Sequence, residues 1–212
     1  IDEMNYGEAG ELAYFGAKVL HTRTIEPVRL KHIPLKVKNS FQPQDPGTRI
    51  HNLGKNTRTL LKSVAVKTDL SIVSLTSAEI AYKPKLVARI LENMCAEDDI
   101  IIYSMSTSLS SLAFLIHNND VKLALSRLDK MDASDVERVE VKGDLALVCC
   151  VGDNLLSKCG VSADIFAAVK DAEASVEMIS EGASDVSLNF VIPTFKANDV
   201  ITLLHQRYVE GE

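Results

Sequence analysis

A short apolar stretch occurs twice in this chain: Asp69-Leu70-Ser71-Ile72-Val73-Ser74-Leu75 is echoed by Asp144-Leu145-Ala146-Leu147-Val148-Cys149-Cys150. A repeat constrains a fold more tightly than a single motif does, because each copy has to be one supersecondary unit. Both stretches read as buried, β-rich strands. Each is followed by a loop and then a helical pattern. Leu86, Val87, Ile90 and Leu91 supply the apolar face in the first copy, and Val161, Ile165, Phe166 and Val169 in the second. Paired strand-like runs come next, 100–105 with 111–116, then 176–179 with 186–192. Asn119-Asp120-Val121 recurs as Asn198-Asp199-Val200, where Asn or Asp suits a helix N-cap. The closing helices continue through Leu123, Ala124 and Leu128, or through Ile201, Leu204 and Tyr208.

Each copy therefore predicts strand, helix, strand, strand, helix. That is the order of a small α+β sandwich with helices on one face of an antiparallel sheet. A fourth strand should close each unit. Residues 136–141 supply one for the first copy, but the second ends on its helix. The run Ser63-Val64-Ala65-Val66-Lys67 is left over upstream. The economical arrangement uses it to close the second sheet, so that the first module (69–141) is inserted into the second (61–68 with 142–212). Residues 1–55 stand outside the repeat. They read as a helix over 8–20 with Gly16 inside it, a short helix over 24–31, a strand over 34–40 and a turn-rich stretch over 42–47. Residues 51–59 read as a polar linker.

With 212 residues, 46% of them hydrophobic, the chain can bury the cores of one or two domains. Its 23 basic residues are offset by 29 acidic ones without a basic stripe, so neither nucleic acid nor a membrane surface is an expected partner. Apolar stretches such as 145–151 fall far short of the ~20 residues of a membrane span. No secretory leader is visible and residue 1 is Ile, so the chain is expected to begin inside a longer, cytoplasmic gene product. Cys95, Cys149, Cys150 and Cys159 sit among apolar neighbours and are expected to be buried free thiols in a reducing cytosol. Neither metal spacing nor a C-x-x-C pair is present. His32, His51, His117 and His205 have no partner spacing that reads as a site, and no Ser-His-Asp or Cys-His set can be assembled.

The stretch Tyr6-Gly7-Glu8-Ala9-Gly10-Glu11-Leu12-Ala13-Tyr14-Phe15-Gly16-Ala17-Lys18-Val19-Leu20-His21 resembles the end of the aspartate kinase catalytic domain. The likeness continues through Arg23-Thr24-Ile25-Glu26-Pro27, Ile33-Pro34-Leu35-Lys36-Val37-Lys38-Asn39 and Asp45-Pro46-Gly47-Thr48. In that family this region runs into two ACT modules. Val151-Gly152-Asp153-Asn154, Gly160-Val161 and Ile179-Ser180-Glu181-Gly182-Ala183-Ser184 are similar to the second of them. The resemblance implies two ferredoxin-like (βαββαβ) modules, preceded in 1–55 by the end of an amino-acid-kinase α/β domain. For the parent protein it implies phosphorylation of the L-aspartate side chain with ATP and Mg, the first step toward lysine, threonine and methionine. Such chemistry needs cations and phosphate-facing amides. The family's Lys-Phe-Gly-Gly-Thr start and its phosphate-binding loops are absent from these residues, so the chain is expected to be inactive by itself, with no cofactor or metal site of its own. Lys18 alone matches a nucleotide-contacting position. Thr22 stands where the family usually has Pro, which would have fixed φ.

The resemblance also implies an amino-acid effector, bound where the first loop and helix start of one module meet a neighbouring sheet. Bare amides and the helix dipole there favour a carboxylate, and a hydroxyl or carboxylate must meet the ammonium. The expected contacts are Ser77, Glu79, Ile80, Ser106 and Thr107 in the first module, and Asp153, Asn154, Gly160, Val161 and Ser180 in the second. A plain turn and cap without ligand is the alternative. Lysine-sensitive relatives carry a Gly near the first helix start, an Asp on the second strand and a Thr-Ser-Glu run. This chain has Tyr82 or Lys83, Tyr103 and Ser106-Thr107-Ser108-Leu109. Two acidic partners are gone, so threonine, or no effector, is expected in preference to lysine. The hydroxyl-rich run from Ser104 to Ser111 is expected to face water or an effector. A homodimer formed through module edges is the expected assembly; a structural dimerisation module with decayed sites is the alternative.

Overall fold

The computed structural model describes residues 1–16, 20–52, 59–97, 99–132 and 135–210, without the side chains of Thr22 and Leu156. In order the elements are β1 (Glu3–Asn5), α1 (Tyr6–Phe15), α2 (Thr22–Leu30), β2 (Leu35–Val37), β3 (Thr48–His51), β4 (Ser63–Thr76), α3 (Pro84–Met94), β5 (Ser104–Thr107), β6 (Ser111–His117), α4 (Val121–Leu128), β7 (Arg138–Val151), α5 (Val161–Asp171), β8 (Met178–Ser180), β9 (Ser187–Pro193) and α6 (Ala197–Tyr208). They form two compact units, one of Thr68–Ala146 and one of Ile1–Lys67 with Leu147–Glu212.

The Thr68–Ala146 unit has strands in the order β5-β6-β4-β7. β4 and β5 both run antiparallel to β6, with Leu70 opposite His117 and Ser104 opposite Leu115. α3 buries Leu86, Ile90 and Met94, spaced at four-residue intervals along one face. Those side chains pack with Val73, Leu75, Phe114 and Ile116 in one core.

In the other unit the first part of β4 lies beside the last part of β7, giving the order β4-β7-β9-β8. The leftover run at 63–67 thus supplies the fourth strand, and the first module is inserted into the second. α5 buries Val161, Ile165, Ala168 and Val169, and its Phe166 meets Phe190 of β9 edge to face at 5.5 Å between centroids. The amino-terminal residues add a small sheet of order β1-β3-β2, with β1 and β3 parallel.

Several local expectations shift for identifiable reasons. α1 begins at Tyr6, because Asn5 and Glu8 form a capping box, and stops at Phe15. Gly16 is the cap, not an interior residue. It takes φ 139°, and a Cβ there would stand 2.5 Å from the Val66 carbonyl oxygen. The strand expected over 34–40 shortens to Leu35–Val37. The one expected over 136–141 starts at Arg138 and runs on to Val151. Asn119 and Asp120 are not side-chain caps. They sit in a 3-10 turn at Asn118–Asp120, whose start is capped by His117 Nδ1 accepting the Asn119 N–H at 3.2 Å. Asn198 and Asp199 fall inside α6, behind a second 3-10 turn. Cys149 and Cys150 are buried, and burial pushes both thiols up. Cys95 is half-buried and Cys159 exposed, contrary to expectation. Residues 53–58 of the expected linker lie outside the described residues. Among the described residues, no helix is long and apolar enough to cross a membrane.

Candidate functional site

The two modules build their first loop and helix start differently. In the first module, every backbone N–H from residue 77 to 83 has a partner. Ser77 donates to the Ser110 carbonyl (2.9 Å), Ile80 to Ser77 (3.3 Å), Ala81 to Leu109 (3.3 Å), and Tyr82 and Lys83 both to Glu79 (3.1 and 2.8 Å). Ala78 donates to Glu137 Oε1 at 3.1 Å, and Glu79 to Ser77 Oγ at 3.3 Å. The first helical residue is Pro84, which has no N–H. Glu79 is held by Lys83 Nζ at 2.9 Å. Ser77 and Ile80 are buried. Ser106 and Thr107 lie exposed at the end of β5, on the hairpin whose turn the Ala81–Leu109 bond ties to this loop. Ser104 of the same hydroxyl run is buried rather than facing water. Tyr103, where a carboxylate would suit a cation, is half-buried. Its hydroxyl pKa is raised by desolvation and by the charge of Asp120.

The second module keeps its helix start open. Gly152 and Leu155 anchor the loop by donating to the Val186 and Asp185 carbonyls at 3.0 and 2.9 Å. Asn154 turns the chain in the left-handed region at φ 50° and donates through Nδ2 to Asp153 Oδ1 at 3.3 Å. Gly160 is the N-cap of α5 at φ 87°, with no side chain to close the helix, and a Cβ there would meet no atom within 4 Å. The first intrahelical bond runs from the Asp164 N–H to the Gly160 carbonyl at 3.0 Å. The amides of residues 161–163 therefore have no partner inside the helix. Val161 is buried. Ser162 Oγ donates to Glu181 Oε1 at 2.5 Å, which draws the end of β8 and Ser180 to the start of α5. Asp153, Asn154, Gly160, Val161 and Ser180 thus gather at one end of this module.

Two carboxylates at these sites are not apparent from sequence reading. Glu137 lies one residue before β7, where only pairing across the module discloses it. Glu181 stands inside the 179–184 motif, whose likeness to the family singles out Ser180 instead. Lys18 lies outside the described residues.

Residues 148–208 match the ACT domain model. Lysine-sensitive aspartokinase 3 of Escherichia coli is 32% identical over 216 residues, covering 99% of this chain and 47% of the relative. The crystal structure of E. coli aspartokinase III with aspartate and ADP superposes with TM-score 0.83 at 31% identity, over 97% of this chain and 46% of that one. The same protein with lysine and aspartate gives 0.78 at 29%, over 98% and 46%. The regulatory subunit of aspartate kinase from Thermus thermophilus gives 0.63 at 25%, over 70% of this chain and 98% of that one. The chain spans from about a quarter to about half the length of the first curated relatives it matches.

Proposed function

The chain belongs to the aspartate kinase family, as its carboxy-terminal ACT-bearing part, and from that premise we propose that it senses an end-product amino acid on behalf of a kinase that phosphorylates L-aspartate. ATP and Mg belong to the catalytic part of such a protein, which on this reading works in the cytoplasm. Residues 1–55 are read as the end of that part and Lys18 as its remaining nucleotide contact. The 212 residues by themselves turn over no ATP on this reading, and a coupled ADP-release assay checks it.

One observation carries the sensing proposal, the contrast between the two helix starts. The second module offers to an effector carboxylate the first amides of α5, which have no partner inside the helix, with Asp153 and Glu181 at the same end of the module to meet its ammonium. At the first module an effector would have to displace internal bonds, so Ser77, Glu79, Ile80, Ser106 and Thr107 take the lesser part in binding. At the first module threonine fits better than lysine, because Glu79 is already paired with Lys83 and Tyr103 carries no charge. A ligand that binds one arrangement of the modules more tightly biases them toward it. The exposed β5 edge, with Met105 exposed on it, supports a homodimer through module edges.

The saturated first loop also favours the second reading, a dimerisation module that binds nothing. Isothermal titration with threonine, lysine and methionine separates the two. Saturable heat from threonine is expected. Silence from all three, with a dimer in ultracentrifugation indifferent to each, leaves only the scaffold reading.

A further inference from the structure

Helix α1 presents two carboxylates one turn apart, Glu8 and Glu11, to the second module. Glu8 is fully buried, and Lys62 retains only 4% exposure. Lys62 Nζ lies 2.7 Å from Glu8 Oε1 and 2.9 Å from Oε2. The same carboxylate accepts the Asn5 N–H at 2.8 Å and so holds the cap of α1. Lys62 belongs to the segment leading into β4. Its N–H donates to the Val151 carbonyl at 2.7 Å, and the Leu61 N–H to the Tyr208 carbonyl at 3.0 Å. Gly152, next along from Val151, lets the Leu60 carbonyl approach so closely that a Cβ would stand 2.6 Å from it. Residues 60–62 are thus clasped between the end of α6, the root of loop 152–160 and the carboxylate of α1.

A second chain of bonds runs alongside. Ser187 Oγ, itself buried, donates to Glu11 Oε2 at 2.9 Å and accepts from Asn189 Nδ2 at 3.4 Å. Both residues alternate with Phe190, which packs against α5, so α1 meets the sheet on the face that α5 leaves uncovered.

We propose that α1 is the coupling helix of the second module, and that the Glu8–Lys62 pair is the joint through which loop 152–160 is felt at α1. Its regulatory meaning rests on the preceding reading of that loop and of residues 1–55; the joint does not. A buried ion pair is poorly suited to gradual loosening. Separating it strands two charges away from water, so it is either made or broken, as a switch requires.

Amide hydrogen exchange on the whole chain tests this, comparing wild type with Glu8→Gln, Lys62→Met and the double variant. Gln keeps the capping geometry while removing the charge. Each single change is expected to speed exchange on the order of tenfold or more both in the last turn of α1 and at residues 61–62 and 152. Amides at 72–75 serve as the unchanged reference. The double variant should exchange more slowly than either single one, since neither charge is left alone. If Lys62→Met unfolds as a whole, Glu8→Gln carries the comparison. Acceleration confined to the mutated element, with the other side of the joint at its wild-type rate, overturns the proposal. No effector enters the measurement, so a sound joint with silent titrations would sink only the sensing reading.

Discussion

Asp69 and Asp144 open the two copies of the repeat, and both stand at positive φ, 62° and 57°. A Cβ in that region crowds the backbone, and Asp and Asn are among the few residues that tolerate it, through their short polar side chains. The shared Asp is therefore a conformational requirement inside two 14-residue strands, β4 and β7. Asp69→Val or Asp144→Val should lower stability by about 1–2 kcal/mol, a β-branched residue being least suited to left-handed backbone. Glycine at either position should be close to neutral. Urea denaturation of the four variants decides; equal losses for Val and Gly would show that side-chain contacts, not φ, select the Asp.

Among elements, α4 holds the end of α3 through one side chain. Arg127 Nη1 donates to the Met94 carbonyl at 2.8 Å and to Asp99 Oδ1 at 2.7 Å, and Nη2 to Asp99 Oδ2 at 2.9 Å. A helix C-terminus welcomes such a cation, and the two-point grip fixes its orientation. The hydrogen bonds from Arg127 hold the Asp99 carboxyl below the usual carboxylate range. A depressed folded-state pKa means the contribution is complete above the unfolded value and is lost as pH falls through the folded one. Thermal unfolding followed into acid should therefore show a shallower decline for Asp99→Asn than for wild type. Parallel profiles would remove Asp99 from the acid response. The pair was invisible to periodicity, because Asp99 lies in a connection that no helix or strand pattern covers.

For the molecule as a whole, insertion decides which pieces can fold. Residues 68–146 contain all four strands and both helices of the inserted unit, whereas 147–212 lack the strand that closes their sheet. A fragment of 68–146 is expected to unfold cooperatively in urea. One of 147–212 is not, until residues 60–67 are joined to it and its open edge beside β7 is paired. Cooperative unfolding of 147–212 alone would refute that dependence. The insertion could be read from strand counting, because a half-closed sheet leaves backbone groups unpaired and only one run remained to satisfy them.

What the sequence alone determined was the pair of modules and their nesting, since alternation and helical spacing report directly which faces must leave water. Only the tertiary structure decided which loop is closed and which open, and where α1 docks. Glu137 meets Ala78 across 59 positions, and Glu8 meets Lys62 across 54. Hydrophobic periodicity specifies which face of an element is buried, whereas a carboxylate's partner is specified by where distant elements come to rest.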